Sequence, residues 1–120
     1  MMKIYDNVSH HCSVITTELY STSFSSAIKL LHKELRGPIF HIYGFVRFAD
    51  EIVDTFHEHD KETLLAEFKK ETYQALDRKI SLNPILHSFQ QVVNQYNIDR
   101  ELIAAFFRSM ESDLSKVTYD

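Results

Sequence analysis

The chain has 120 residues, 44% of them apolar and 25% charged, with two Gly, two Pro and a formal net charge of −4. This is ordinary globular composition with little turn chemistry, and it favours one domain of helices on short connections. The thirteen Lys and Arg are scattered, which excludes a basic footprint for nucleic acid. The single cysteine, Cys12, excludes an intrachain disulfide and any multi-thiolate metal site.

The N-terminal "MMKIYDNVSHH" lacks the apolar core of a secretion signal. No apolar run approaches the roughly 20 residues that span a bilayer. A soluble, cytoplasmic chain is expected, and a peripheral contact that draws a lipid-like substrate from a membrane surface is compatible with it.

Apolar spacing is helical nearly throughout. A first helix covers about 4 to 19. The serines of "YSTSFSSAIKLLHK" supply an N-cap, Ser21 or Ser23, for a second helix with Phe24, Ala27, Ile28 and Leu31 on one face. Gly37 then ends that helix, and Pro38 starts a third over about 38 to 56, because a first helical turn tolerates proline's missing N–H. Asp60 caps a fourth helix to about 79, with Leu65, Phe68, Thr72 and Leu76 along one stripe.

Asn83 and Pro84 make a cap and first-turn pair for a fifth helix, whose apolar residues are Ile85, Leu86, Phe89, Val92, Val93 and Tyr96. Asp99 opens a sixth, with Ile98 and Ile103 spaced as a hydrophobic staple. This last helix is expected to bury Leu102, Ile103, Phe106, Phe107 and Met110. It runs into "SDLSKVTYD" with no Gly, cationic run or terminal loop, so the domain is expected to be cut there.

The third helix carries "FVRFADEIVD", residues 45 to 54. At 100° per residue Tyr43, Arg47, Asp50 and Asp54 fall within an arc of roughly 60°, while apolar residues occupy most of the remaining circumference. Two carboxylates one turn apart repel each other, so the pattern gains if a cation offsets them. Mg²⁺ suits such a pair, because it binds through one or two carboxylates plus substrate phosphates, and Arg47 would add a planar donor for phosphate oxygens. A plainer reading exists. Eight Asp in the chain give about half a D-x-x-x-D by chance, and Arg47, Asp50 and Asp54 equally make an ion-pair ladder on a solvated edge.

Three segments, in order, resemble the squalene/phytoene synthase family of head-to-head prenyltransferases. "YSTSFSSAI" is similar to its S-x-S-F segment, "IYGFVRFADEIVD" to its first aspartate-rich motif R-x-x-D-[DE]-x-x-D, and "FFRSMESDL" in part to its M-x-x-D-L segment. The resemblance implies an all-α fold of about six helices, the N-terminal portion of an isoprenoid-synthase bundle around an apolar cavity. It also implies Mg²⁺-dependent condensation of two prenyl diphosphates, farnesyl or geranylgeranyl, as in carotenoid biosynthesis.

By position it makes Asp50 and Asp54 metal ligands and Arg47 a diphosphate ligand. Ser21, Ser23 and Asp113 would lie near the diphosphates, and Tyr43 would line the cavity. Residues 1 to 120 would be the N-terminal part of a single domain that ends before the family's second acidic motif. An incomplete, inactive and self-associating fragment is therefore expected. The alternative, from another class, is a helical relative without catalysis that serves as an assembly or interaction module.

Other residues invite less. "HHC" at 10 to 12 and "HEHD" at 57 to 60 lack standard zinc-ligand spacing and are expected at solvated helix ends. His41 is expected as a core or wall histidine. Neither a G-x-S-x-G nucleophile turn nor a phosphate-cradling glycine loop is present.

Overall fold

Orphan amides at the helix starts find side-chain acceptors supplied by the sequence. In the computed structural model, which describes residues 2–119 and the side chains of residues 2–116, six helices follow one another: α1 Met2–Tyr20, α2 Thr22–Ile28, α3 Lys33–Asp54, α4 Lys61–Arg78, α5 Pro84–Tyr96 and α6 Arg100–Tyr119. No strand occurs among the described residues. Ser21 Oγ accepts from Phe24 N at 3.1 Å, and Asp60 Oδ1 accepts from Thr63 N at 3.1 Å. Asn83 Oδ1 accepts from the amides of Ile85 and Leu86, and Asp99 Oδ1 from Glu101 N. Two helices end on left-handed residues, Lys79 with φ 60° and Asn97 with φ 52°, which close the last turns as C-caps.

One boundary differs from the expectation. The second helix stops at Ile28, not at Gly37, and α3 begins at Lys33 with Pro38 inside it. Leu30 N and Leu31 N bond back to Ala27 O and Ile28 O, a tight final turn. His32 Nδ1 then receives Glu34 N at 3.4 Å and serves as the N-cap. Pro38 forfeits one intrahelical bond, to Glu34, on a first turn that is solvent-exposed, where water satisfies the freed carbonyl.

α3 is the central element and packs against each of the other five helices. Its Phe45 is the hub of an aromatic core. The Phe45 and Phe89 rings stack with centroids 3.8 Å apart, and Phe68, Phe106 and Phe107 surround the same ring at 5.3 to 5.9 Å. Leu65, Phe68, Thr72 and Leu76 are all buried, as the stripe predicts. Phe107 and Ile103 are buried too, with Ile98, Phe106 and Met110 against the core, whereas Leu102 and Tyr96 lie on the surface.

α1 packs in a way the sequence pattern does not announce. It buries Ser9, Ser13, Thr16 and Thr17 and exposes Ile4, Val8, Ile15 and Leu19. The small polar face permits close approach to α3, where a Cβ added at Gly44 would stand 3.2 Å from Ser13 Oγ and 3.4 Å from Ser13 Cα. Thr17 Oγ1 donates to Ser13 O inside the helix, which removes one buried hydroxyl from the unsatisfied total.

Candidate active site

The polar line of α3 survives folding as an edge of the helix that runs from half-buried to exposed. Tyr43, Arg47 and Asp50 are partly buried and Asp54 is exposed. Neither aspartate takes a hydrogen bond or direct ion pair among the described residues. Burial pushes the Asp50 carboxyl above the usual carboxylate range; the Arg47 charge opposes that shift, and Asp54 and then Asp113 of α6 reinforce it. α6 thus delivers a third carboxylate to the neighbourhood of the pair. Among the described residues no group of three or more His, Cys, Asp or Glu side chains is arranged to hold a metal ion.

The arginine ladder does not form. Arg47 Nη2 donates to Glu51, four residues on, and the guanidinium carbon lies 4.6 Å from the centroid of the Tyr20 ring at the end of α1. Arg47 Nε is buried without a partner. The hydrogen bond from Arg47 holds the Glu51 carboxyl below its ordinary range, against the effect of burial and with help from the Tyr20 hydroxyl. Sequence reasoning missed both partners of Arg47. The i, i+4 spacing to Glu51 was a usable signal; nothing in the sequence pointed to Tyr20.

Tyr43 meets Phe24 of α2, with ring centroids 5.1 Å apart. Ser21 Oγ is engaged as the α2 cap, and Ser23 is exposed on the same short helix. Beyond Glu51, on the other side of α3 from Asp50, an open groove of about 450 Å³ runs between α3 and α4, with Phe48, Ile52, Phe56, Leu64 and Phe68 in its walls. A larger groove of about 610 Å³ lies between α4 and α6 and involves none of the acidic edge. The smaller one shares Glu51 and Tyr20 with the arginine cluster.

Several histidines have partners within the fold. His10 Nδ1 and His41 Nε2 are 2.9 Å apart and join α1 to α3. Burial, with His10 nearby, lowers the His41 pKa to about 4, so the ring is neutral at pH 7, as a wall histidine should be. His57 Nδ1 faces Lys61 Nζ at 3.0 Å, and Asp60 of the same segment caps α4. A clamp with no sequence signal ties α1 to the start of α5: His87 is fully buried, 2.8 Å from Asp6 Oδ1, and accepts from Ser81 N.

The chain belongs to the squalene/phytoene synthase family, since the Squalene/phytoene synthase family model matches residues 17–120. The six-helix, strand-free architecture suits an isoprenoid-synthase bundle. The chain is 30% identical over 95 residues to a presqualene diphosphate synthase of Rhodopseudomonas palustris, covering 78% of this chain and 33% of that protein. It is 28% identical over 108 residues to a phytoene synthase of Cereibacter sphaeroides, covering 83% of this chain and 30% of that protein. It thus spans about a third of the length of the curated relatives it matches. No solved structure matches it.

Proposed function

We propose that the edge formed by Asp50, Asp54 and Arg47 is the diphosphate end of a prenyltransferase site, in a protein that joins two prenyl diphosphates, farnesyl or geranylgeranyl, head to head. The observation that carries this reading is the pair of unpartnered aspartates one turn apart on α3, beside an arginine with a buried free donor. The donor set is hard oxygen, and mutual repulsion and burial of Asp50 both favour an added cation, which fits Mg²⁺ held by two carboxylates and substrate phosphates. When bound, Mg²⁺ would neutralise charge that develops on a departing diphosphate.

The chain's own residues have separate parts in this reading. Asp50 and Asp54 hold the cation, and Arg47 donates to phosphate oxygens. Ser21 and Ser23 lie toward the diphosphates, and Asp113 adds negative potential that favours cation binding. Tyr43, packed on Phe24, lines the apolar side where water must be excluded from a carbocation. Among the described residues no helix is long and apolar enough to cross a membrane; a cytoplasmic protein that takes its substrate at a membrane surface is part of the proposal.

The test is calorimetric titration with a non-reactive thio analogue of farnesyl diphosphate, with and without Mg²⁺. Binding should require Mg²⁺ and should vanish in Asp50→Ala and in Asp54→Ala while circular dichroism stays unchanged. Undiminished binding by either variant refutes the ligand roles.

A second reading, a non-catalytic assembly module, draws on the exposed Ile4, Val8, Ile15 and Leu19 of α1. They form an apolar stripe of the kind that marks interaction surfaces. Absence of any Mg²⁺-dependent ligand binding, together with self-association weakened by Ile15→Glu, would favour it.

A further inference from the structure

Arg47 is followed on its own helix by three carboxylates: Asp50 at i+3 and Glu51 at i+4, both spaced for direct contact, and Asp54 at i+7, two turns on. It bonds to the middle one. We propose that Glu51 and Tyr20 form a positioning pair that holds the Arg47 guanidinium away from Asp50 and Asp54, so that both aspartates remain available to a divalent cation and the arginine's free donor remains available to an anion. The inference rests on the reading of this edge as a cation and diphosphate site.

Three observations support it. The Arg47 and Glu51 side chains are only 23% and 15% exposed, so this pair is better shielded than a solvated surface pair and holds its geometry more firmly. The Tyr20 ring lies against the guanidinium at 4.6 Å, a contact strengthened by partial desolvation. Pairing through Nη2 leaves Nε buried and unpartnered, and a buried orphan donor is costly unless a ligand completes it.

Without Glu51, the carboxylate left acting on Arg47 from its own helix would be Asp50, one of the two proposed cation ligands. An incoming cation would then have to displace a guanidinium from that ligand. Glu51 therefore raises cation affinity by removing a competitor, in addition to its own long-range charge. Tyr20 contributes by fixing where the guanidinium rests.

The experiment titrates the chain with Mg²⁺ alone, then with Mg²⁺ and inorganic pyrophosphate, and follows the Arg47 side-chain resonances by NMR. In the wild-type background Glu51→Gln should weaken Mg²⁺ binding by about three- to tenfold, a coupling of the size contacting residues show. Beside Arg47→Met the same change should weaken it by less than about twofold, because the competitor is gone. Arg47→Met alone should tighten Mg²⁺ binding and weaken pyrophosphate binding. In the unliganded chain Tyr20→Leu should shift the Arg47 resonances, whereas Tyr20→Phe should leave them close to wild type. Circular dichroism and melting confirm that each variant folds.

An equal effect of Glu51→Gln in both backgrounds would mean a plain charge effect and overturn the proposal, as would Arg47 resonances unmoved by Tyr20→Leu. If the folded wild-type chain binds no Mg²⁺ at all, the reading of the edge as a cation site fails and the proposal falls with it. Mg²⁺ binding with an additive cycle sinks the positioning role alone.

Discussion

Arg47 is ion-paired to Glu51 and to neither Asp50 nor Asp54, although all four side chains share one stretch of α3. The consequence is an edge with two anions in excess. Asp50 is partly buried and faces the charges of Asp54 and Asp113, so its ionised form is disfavoured in the folded chain.

Neutralising that aspartate should stabilise the protein while removing a proposed cation ligand. The sign follows from the raised carboxyl: the folded state holds the proton more tightly than the unfolded state, so stability falls as pH rises through the folded pKa, and Asp50 opposes folding at pH 7. Asp50→Asn should relieve a few tenths of a kcal/mol of like-charge repulsion, raising Tm by about 1–3 °C. Differential scanning calorimetry at low salt checks this; an unchanged or lower Tm contradicts the electrostatic account.

The neutral His10–His41 contact should make the fold acid-sensitive. Its His41 has a pKa lowered from 6.5 to about 4 by burial and then by His10. The unfolded chain takes up a proton that the folded chain refuses, so stability is lost as pH falls from the unfolded toward the folded value. The loss at pH 4.5 should be about 2 kcal/mol relative to pH 7, from about 1.4 kcal/mol per unit. Urea midpoints of wild type and His41→Asn measured across this range should converge in acid, because the variant lacks the titrating ring.

Close approach of α1 to α3 at Gly44 should be limited by Ser13. A Cβ at Gly44 would lie 3.2 Å from Ser13 Oγ, so Gly44→Ala trades about 1 kcal/mol of helix propensity against a tight contact and should be near neutral. Gly44→Val should cost about 1–3 kcal/mol through overpacking. Adding Ser13→Ala should improve Gly44→Ala more than it improves wild type. Chemical denaturation of the four chains resolves the coupling, and strict additivity would argue against the contact.

Removal of the aromatic hub should be the most damaging core change. Phe45 is 2% exposed and touches rings from α4, α5 and α6. Phe45→Ala should cost about 3–5 kcal/mol, a large part of a typical domain's stability. Phe45→Leu should cost markedly less. Comparable losses for the two substitutions would show that the stacking in the core had been misjudged.

Much of the architecture was legible in the chain itself. Asp60, Asn83 with Pro84, and Asp99 marked three helix starts, because capping uses atoms only two or three residues away. The stripe Leu65, Phe68, Thr72 and Leu76 followed from helical periodicity alone. The line of Tyr43, Arg47, Asp50 and Asp54 was likewise fixed by spacing, since neighbours on one helix face need no tertiary information. The α2–α3 boundary was misjudged at Gly37 and Pro38. Proline tolerates an exposed early turn, and the break at residues 29–32 carries no Gly or Pro.

Longer-range relationships were decided only when the helices packed. Which carboxylate Arg47 would choose depended on the Tyr20 ring arriving from α1. That Asp113 would lie near Asp50 depended on how α6 docks. That α1 would bury its serines and threonines and expose its isoleucines ran against hydrophobic patterning, and it required the gap at Gly44. His87 and Asp6 are 81 residues apart in sequence and meet only because α1 packs on α5. Periodicity acts over one or two helical turns, so it sets the elements and their polar faces. Pairings between elements depend on side-chain volume and close approach in three dimensions, and those are settled by the assembled core.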